Sequence, residues 1–287
     1  MPELPEVEAL RGFLAQACLG KTVARTELVA FACLKTVAVP LSALQGLEVV
    51  GVSRRGKFVV LDVSGLFLVF HLARAGWLTW RDSVPAAPAR PGRGPLAFRI
   101  VFDDDTGFDV TEAGTQKRLA IYVVTALDDV PGIVALGLDP LADDFTSEAL
   151  AGILVTAGRS QLKGVLRDQR VLAGIGNAYS DEILHAARLS PFKPANGLNP
   201  EEHRRLYDAI RGELGDAIER SRGLAAKDLK GDKKLNLRVH GRTGQSCRVC
   251  GTTIAEVSFA DSSLQYCPGC QTGGKPLADR RLSRLLK

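Results

Sequence analysis

No stretch of the 287-residue chain is apolar for long enough to span a bilayer, and no basic-then-apolar leader opens it. These absences argue against a helical membrane protein and against secretion, so the expected setting is cytoplasmic, with no membrane partner. Internal repeats are missing as well, which excludes solenoid architectures. Cysteine is sparse at six residues, and two of them, Cys18 and Cys33, stand alone in apolar surroundings as ordinary buried side chains. Net positive charge is missing from most of the chain. Ser221 to Lys287 carries 13 Lys/Arg against 5 Asp/Glu, a net of +8, so the +5 of the whole chain leaves 5 − 8 = −3 for the first 220 residues. A basic C-terminal stretch suits a polyanionic partner, although a solvated basic surface is the commoner meaning of a single charge run.

The remaining four cysteines form CRVC and CPGC: Cys247, Cys250, Cys267 and Cys270. This C-x2-C-x16-C-x2-C spacing can close a tetrahedral structural zinc site with no open position for catalysis. The alternative, a pair of disulfides, is disfavoured in an intracellular setting.

Length suits two modest domains with an appendage. After a short helix over Pro5–Ala17, β-branched runs and alternation predict strands at Leu47–Ser53, Lys57–Val63, Leu66–Leu72, Trp77–Trp80, Phe98–Phe102, Phe108–Thr111 and Leu119–Val124. Four prolines in Ser83–Ala97 predict a loop between them. The pattern is that of a mostly antiparallel sandwich or barrel, domain 1–138. From about Asp144 the period changes to 3 and 4 residues, often after Ser, Asn or Asp caps, which predicts a helical domain over 144–222. A basic connector follows at 223–242, then the cysteine module at 243–271 and a basic tail at 272–287 whose end reads as a short helix.

Two short stretches carry chemistry. The chain opens MPELPEVE. Pro5 with Glu6 and Glu8 makes an ordinary helix start. Removal of Met1 would leave Pro2 with a free secondary amine, titrating near pH ~8 and so partly neutral and nucleophilic at pH 7. Glu3 is then a carboxylate beside that amine, able to move protons. Within the helical domain, DQRVLAGIGNAYSDE sets a tight turn before a helix that begins at Asn177. Such a turn presents backbone N–H groups at a helix N-terminus, a seat for a phosphate, or is a plain helix cap.

PELPEVE, RRGK (Arg54–Lys57), HLARAGWL (His71–Leu78), DQRVLAGIGNAYSDE and the four-cysteine module occur in one order. Over nearly its whole length, to about Gln271, the chain resembles the formamidopyrimidine-DNA glycosylase / endonuclease VIII family, and its opening residues resemble the formamidopyrimidine branch. The resemblance implies an α+β multidomain fold: an N-terminal β-sandwich, a helix–two-turn–helix domain and a C-terminal four-cysteine zinc finger holding one structural Zn2+. Double-stranded DNA carrying damaged bases or abasic sites is the implied partner, bound between the lobes by a monomer. It implies a bifunctional glycosylase and abasic-site lyase of base-excision repair. Pro2 is the nucleophile that forms a Schiff base at deoxyribose C1′, followed by β,δ-elimination, and Glu3 transfers protons. Lys57 matches a phosphate-contacting lysine able to act as general acid, and Glu182 a buried carboxylate near the active-site proline. His71, Lys163, Gly176, Asn177 and Tyr179 fall at DNA-contacting positions. The bland readings of these residues are a turn lysine, a helix-surface acid and a structural histidine.

The sequence also departs from that pattern. Where the family has a methionine wedge to fill the gap left by a flipped nucleotide, this chain has Arg74, which can stack and pair with phosphate but is no apolar plug. The companion wedge loop is replaced by Thr111–Leu119, with Gln116, Lys117 and Arg118 as the available substitutes. Ser262 stands where the finger's phosphate-gripping arginine belongs, and none of the 16 residues between Cys250 and Cys267 is basic. Lys275, Arg280, Arg281, Arg284 and Lys287 of the tail are the candidates to supply the missing charge. A lysine-rich connector, AAKDLKGDKKLN, replaces the loop that caps a flipped purine. The expected substrate is therefore an oxidised pyrimidine, a ring-opened purine, a bulky adduct or an abasic site rather than 8-oxoguanine. The alternatives are a non-catalytic binder of distorted DNA and, more remotely, a zinc-finger regulator, for which no base-reading helix signature is present.

Overall fold

The computed structural model describes residues 1–89, 94–259 and 262–278. It divides into two compact units, residues 1–136 with 218–231, and 137–217 with 232–287.

In the first unit, helix α1 (Leu4–Cys18) precedes eight strands: β1 (Val23–Leu28), β2 (Val49–Arg55), β3 (Phe58–Val63), β4 (Leu66–His71), β5 (Gly76–Arg81), β6 (Leu96–Phe102), β7 (Gly107–Glu112) and β8 (Ala120–Val124). They form two four-stranded sheets, β1-β6-β7-β5 and β2-β3-β4-β8, with every pairing antiparallel. Val59, Leu61, Val63, Leu68 and Phe70 of one sheet share a core with Leu78, Phe98, Ile100, Phe102 and Phe108 of the other. The Phe70 and Phe108 rings lie 5.9 Å apart across it. This is the expected sandwich. β3 reads as an almost unbroken apolar run because both of its faces are covered. Phe58 and Val60 point away from the main core into a second cluster with Val69, Val124, Val130 and Ile133 of the short helix α2 (Pro131–Val134). The β3–β4 turn is two residues, Ser64 and Gly65, both at positive φ, as a tight hairpin of right-handed twist requires.

Helix α1 packs on β2 and β3 through fully buried Leu10 and Leu14. Each such leucine contributes about 1.5–3 kcal/mol from burial alone. The end of the long helix α6 (Pro200–Ser221) and the residues after it also belong to this unit. Trp77 Nε1 donates to the Ala226 carbonyl at 3.0 Å, and Ala226 and Leu229 are buried in the same core. Part of what reads in sequence as a separate connector is thus sandwich core.

The second unit holds α3 (Ser147–Ala157), α4 (Leu162–Arg167), α5 (Asn177–Ala186) and most of α6. Thr146 caps α3 by accepting from Ala149 N at 3.1 Å. Asn199 and Glu202 cap α6 reciprocally, with Pro200 at its first position. The segment LKGDKKLN, within the stretch whose sequence reads as a basic connector, forms helix α7 (Leu229–Asn236). After α7 come a hairpin, β9 (Ala255–Ser258) with β10 (Ser263–Tyr266), and a single helical turn, α8 (Pro268–Gln271). Arg280, Arg281, Arg284 and Lys287, and with them the expected tail helix, lie outside the described residues; Lys275 lies within them. No helix among the described residues is long and apolar enough to cross a membrane.

Candidate active site, turn and zinc module

Pro2 is buried immediately ahead of α1, with Glu3 as the N-cap. The Glu3 backbone N–H donates to Glu6 Oε2 at 2.8 Å, which fixes the path of the first residues, and the Glu3 side chain is itself buried. Pro5 in the first turn sacrifices no hydrogen bond. Lys57 is buried in the two-residue β2–β3 turn, beside Gly56 at φ +53°. Arg54 holds that turn against α1: its Nε lies 3.1 Å from Glu8 Oε2 and its guanidinium donates to the Gly56 carbonyl at 2.9 Å.

His71, at the end of β4, pairs in register with Phe58, and the rings lie 4.8 Å apart. Burial, and then the Lys57 ammonium, lower its pKa to about 4. The ring is therefore neutral at pH 7. Its Nδ1 accepts from Ala73 N at 3.3 Å, which assigns the proton to Nε2 and makes that nitrogen a donor. The structure thus brings Lys57 and His71 together. Arg74 is exposed at the apex of the next turn, where Gly76 N bonds to the Leu72 carbonyl at 2.8 Å and Ala73 sits at φ +49°. Gly76 cannot carry a side chain there, since a Cβ would lie 2.1 Å from the Leu72 oxygen. The loop after β7 is tied down by buried Glu112, whose Oε1 accepts from Arg118 N and Leu119 N at 2.7 and 2.9 Å. Lys117 Nζ turns back to the Glu112 carbonyl, whereas Gln116 is exposed.

In the second unit the turn before α5 is held by Gln169, which sequence reasoning did not single out. Its Oε1 accepts from Gly174 N at 2.9 Å and its Nε2 donates to the Ile175 carbonyl at 2.7 Å. Gly174 takes φ +96°, a conformation suited to glycine. Gly176 is buried at the N-cap of α5, and Asn177 is half-buried with its Nδ2 donating to the Ser263 carbonyl of β10 at 2.8 Å. Tyr179 is buried, with Lys233 Nζ 4.6 Å from its ring centroid.

Lys163 is buried rather than presented at the surface. Its ammonium contacts Asp181 Oδ1 at 2.5 Å, Ser180 Oγ at 3.0 Å and the Asn177 carbonyl at 3.2 Å. Asp181 Oδ2 in turn meets His240 Nδ1 at 2.7 Å and accepts from Gln265 N at 3.3 Å. Glu182 is likewise spent within the unit, accepting from the backbone N–H groups of Arg238, Val239 and His240 at 2.7–3.0 Å. Arg238 reaches from Glu182 to Glu213. The YSDE stretch, two adjacent acids on a helix otherwise full of buried residues, was the available signal for Asp181. Its partners 59 and 84 residues away were not.

The four finger cysteines converge. Cys250 Sγ lies 3.3 Å from Cys267 Sγ and 3.4 Å from Cys270 Sγ, and Cys247 Sγ lies 3.9 Å from Cys270 Sγ. The widest of these spacings matches the edge of a tetrahedral thiolate shell, about 3.8 Å for Zn–S bonds of ~2.3 Å, and the other two lie a few tenths of an ångström inside it. Hydrogen bonds from Thr252, and then the neighbouring thiols, pull the Cys250 thiol down to about 6, toward the thiolate a metal needs. Gly269 lets the CPGC turn pack closely, as a Cβ there would lie 2.4 Å from Thr252 Oγ1 and 3.0 Å from Cys250 Sγ and would force those side chains to shift. One unexpected residue adjoins the group: His185 of α5, whose Nε2 lies 3.4 Å from Cys247 Sγ. Burial, then the nearby guanidinium groups of Arg238 and Arg188, lower its pKa to about 4. The module binds one structural zinc.

The chain matches three family models in order: the formamidopyrimidine-DNA glycosylase N-terminal domain over residues 1–117, the corresponding H2TH domain over 136–228, and the zinc finger found in FPG and IleRS over 244–273. A formamidopyrimidine-DNA glycosylase of Heliobacterium modesticaldum is 36% identical over 282 residues, covering 94% of this chain and all of its own. A formamidopyrimidine-DNA glycosylase-like protein of Mycobacterium tuberculosis, itself uncharacterised, is 56% identical over 153 residues, 53% of this chain and 95% of its own. Among solved structures, MutM (Fpg) of Thermus thermophilus superposes with a TM-score of 0.78 at 31% identity, covering 96% of this chain and all of its own. The Lactococcus lactis enzyme bound to DNA containing an AP site superposes with a TM-score of 0.81 at 27% identity, covering 94% and 99%. The chain belongs to the formamidopyrimidine-DNA glycosylase family and is, by class, a DNA glycosylase and abasic-site lyase of base-excision repair.

Proposed function

We propose that Pro2, freed by removal of Met1, attacks the deoxyribose C1′ of a damaged nucleotide. The N–C1′ bond forms as the glycosidic bond breaks, the base leaves with a proton, and the sugar is held as an iminium. A secondary amine reaches that cation without further deprotonation, and the cation is the electron sink for β- and δ-elimination. The observation that carries this reading is the terminus itself: a proline directly ahead of α1, followed by a buried carboxylate at its N-cap. Glu3 transfers protons to and from the opening sugar. Lys57 contacts phosphate and serves as general acid, while the neutral His71 offers its Nε2–H to a phosphate oxygen. Asn177 and the backbone around Gly176 form a second phosphate seat. Lys163, Tyr179 and Glu182 act on DNA through the turn and connector they position.

The substrate we propose is an oxidised pyrimidine, a ring-opened purine, a bulky adduct or an abasic site rather than 8-oxoguanine. Three features support this: exposed Arg74 at the wedge position, a helical α7 in the stretch corresponding to the purine-capping loop, and Ser262 in place of the finger arginine. The test is borohydride trapping on duplexes carrying an abasic site, 5-hydroxyuracil, thymine glycol, formamidopyrimidine or 8-oxoguanine, with the N-terminal mass checked for loss of Met1. Trapping on one of the first four with little on 8-oxoguanine supports the assignment. Efficient trapping on 8-oxoguanine overturns the substrate class, and tight binding with no adduct on any duplex means a damage binder.

A further inference from the structure

The zinc module offers five donors for four positions. Cys247, Cys267 and Cys270 lie with the His185 ring nitrogen in one group whose ligand atoms are all within 4.8 Å of one another. Two of these sulfurs, those of Cys267 and Cys270, are approached by Cys250 at 3.3 and 3.4 Å. Two complete four-donor sets therefore share three thiolates. One is finished by Cys250, the other by His185.

We propose that His185 is a reserve zinc ligand: with Cys250 in place it hydrogen-bonds to the Cys247 thiolate, and when Cys250 is lost it enters the shell as a Cys3His site. Three observations carry this. First, the 3.4 Å from Nε2 to Cys247 Sγ is close to the N···S edge of a mixed tetrahedron, about 3.6 Å for Zn–N of ~2.0–2.1 Å and Zn–S of ~2.3 Å. Only a small displacement separates the neighbour from the ligand. Second, Cys250 is the one exposed member of the four, so it is the thiolate most open to alkylating or oxidising electrophiles. Third, the imidazole is buried, and its Nδ1 has no hydrogen-bond partner among the described residues. Nothing seen there uses the ring except the sulfur beside it, and α5 is a regular helix that holds it in place.

The exchange balances simply. The electrophile that damages Cys250 takes the sulfur pair that had bound zinc, Nε2 forms the bond to zinc in its place, and the ring proton moves from Nε2 to Nδ1 through solvent. The consequence is a finger that keeps its metal, and so its fold, when its accessible cysteine is damaged.

The test is a cycle in the full chain: Cys250→Ser, His185→Phe and the double variant, each assayed for bound zinc and, after exchange, for the Co2+ absorption spectrum. Cys250→Ser is expected to retain stoichiometric metal, with the cobalt thiolate charge-transfer band reduced to the intensity of three sulfurs and the ligand-field bands moved to those of a Cys3His shell. His185→Phe is expected to keep four thiolates and to lose roughly 10–100-fold in metal affinity with its N–H···S bond. Its retained zinc also checks that α5 tolerates the substitution. The double variant is expected to lose metal altogether. Loss of zinc by Cys250→Ser alone, or equal retention by Cys250→Ser and the double variant, overturns the proposal. These readouts are independent of glycosylase activity.

Discussion

Two buried lysines mark the difference between the two units. Lys57 sits in a strand turn of the sandwich, next to a histidine kept neutral by burial and by that same lysine. Lys163 sits under the start of α5, against the carboxylate of Asp181 at 2.5 Å, which is in turn bonded to His240 and to the backbone of β10. In the sandwich, Lys57 and His71 are posed on turns and strand ends by a rigid two-sheet core. In the helical unit, charged groups near the turn are consumed in holding four pieces of chain together. Substitution in the first region should cost chemistry and spare the fold, whereas in the second it should cost the fold first.

The largest expected effect comes from Lys163→Met, which strands a fully buried Asp181 charge. A loss of about 3–5 kcal/mol is expected, read as a lowered midpoint in urea. Lys57→Met should leave that midpoint nearly unchanged while slowing strand scission by roughly 10²–10⁴-fold. Equal destabilisation by both would erase the distinction.

Protonation gives a second contrast. Folded His71 has a pKa of about 4 against 6.5 unfolded, so between these values the unfolded chain binds the extra proton. Its contribution is fully present above pH 6.5 and is lost as pH falls toward 4, by at most roughly 3 kcal/mol. A His71→Gln variant should show a flatter fall in stability across that window, measured by urea titrations from pH 7 to 4. An identical slope would remove His71 from the account.

Zinc removal sharpens the boundary of the second region. The finger's spacing alone suggests that a chelator unfolds only the finger. Asn177, however, is anchored to Ser263 of the hairpin, and Gln271 donates to the Leu189 carbonyl at 2.9 Å. Amide exchange at the start of α5 should therefore rise on chelation while β3 and β4 stay protected. The smallest expected effect is removal of residues 272–287. If the tail supplies the charge absent from the finger, its loss weakens DNA binding and flattens the salt dependence by about 0.9 per lost phosphate contact.

Much of this was legible because it is local. The sandwich strands from Val49 onward, the capped helices and the cysteine knuckles announce themselves by period and spacing. β1 did not: VARTEL interleaves charges that the fold pairs, Arg25 with Glu27 at 2.9 Å, and buried Val23 alone does not mark a strand. Helix α7 carries a glycine and four charges, and tertiary contacts justify it. Leu229 is buried in the sandwich core, and Lys230 Nζ lies 4.5 Å from the centre of the Trp77 ring. The sequence also places Lys163 and Glu182 in the right stretch without saying which way they face. That is decided by Asp181 and by the connector backbone at 238–240, contacts that no local pattern encodes.

The most direct measurement of the central claim is borohydride trapping of the mature chain on an abasic-site duplex, wild type beside Pro2→Gly, with binding to a non-cleavable duplex measured in parallel. The account predicts a covalent adduct through the N-terminal residue of the wild type, and its loss in Pro2→Gly with binding retained. An adduct of undiminished yield in Pro2→Gly, mapped to a lysine, would contradict it.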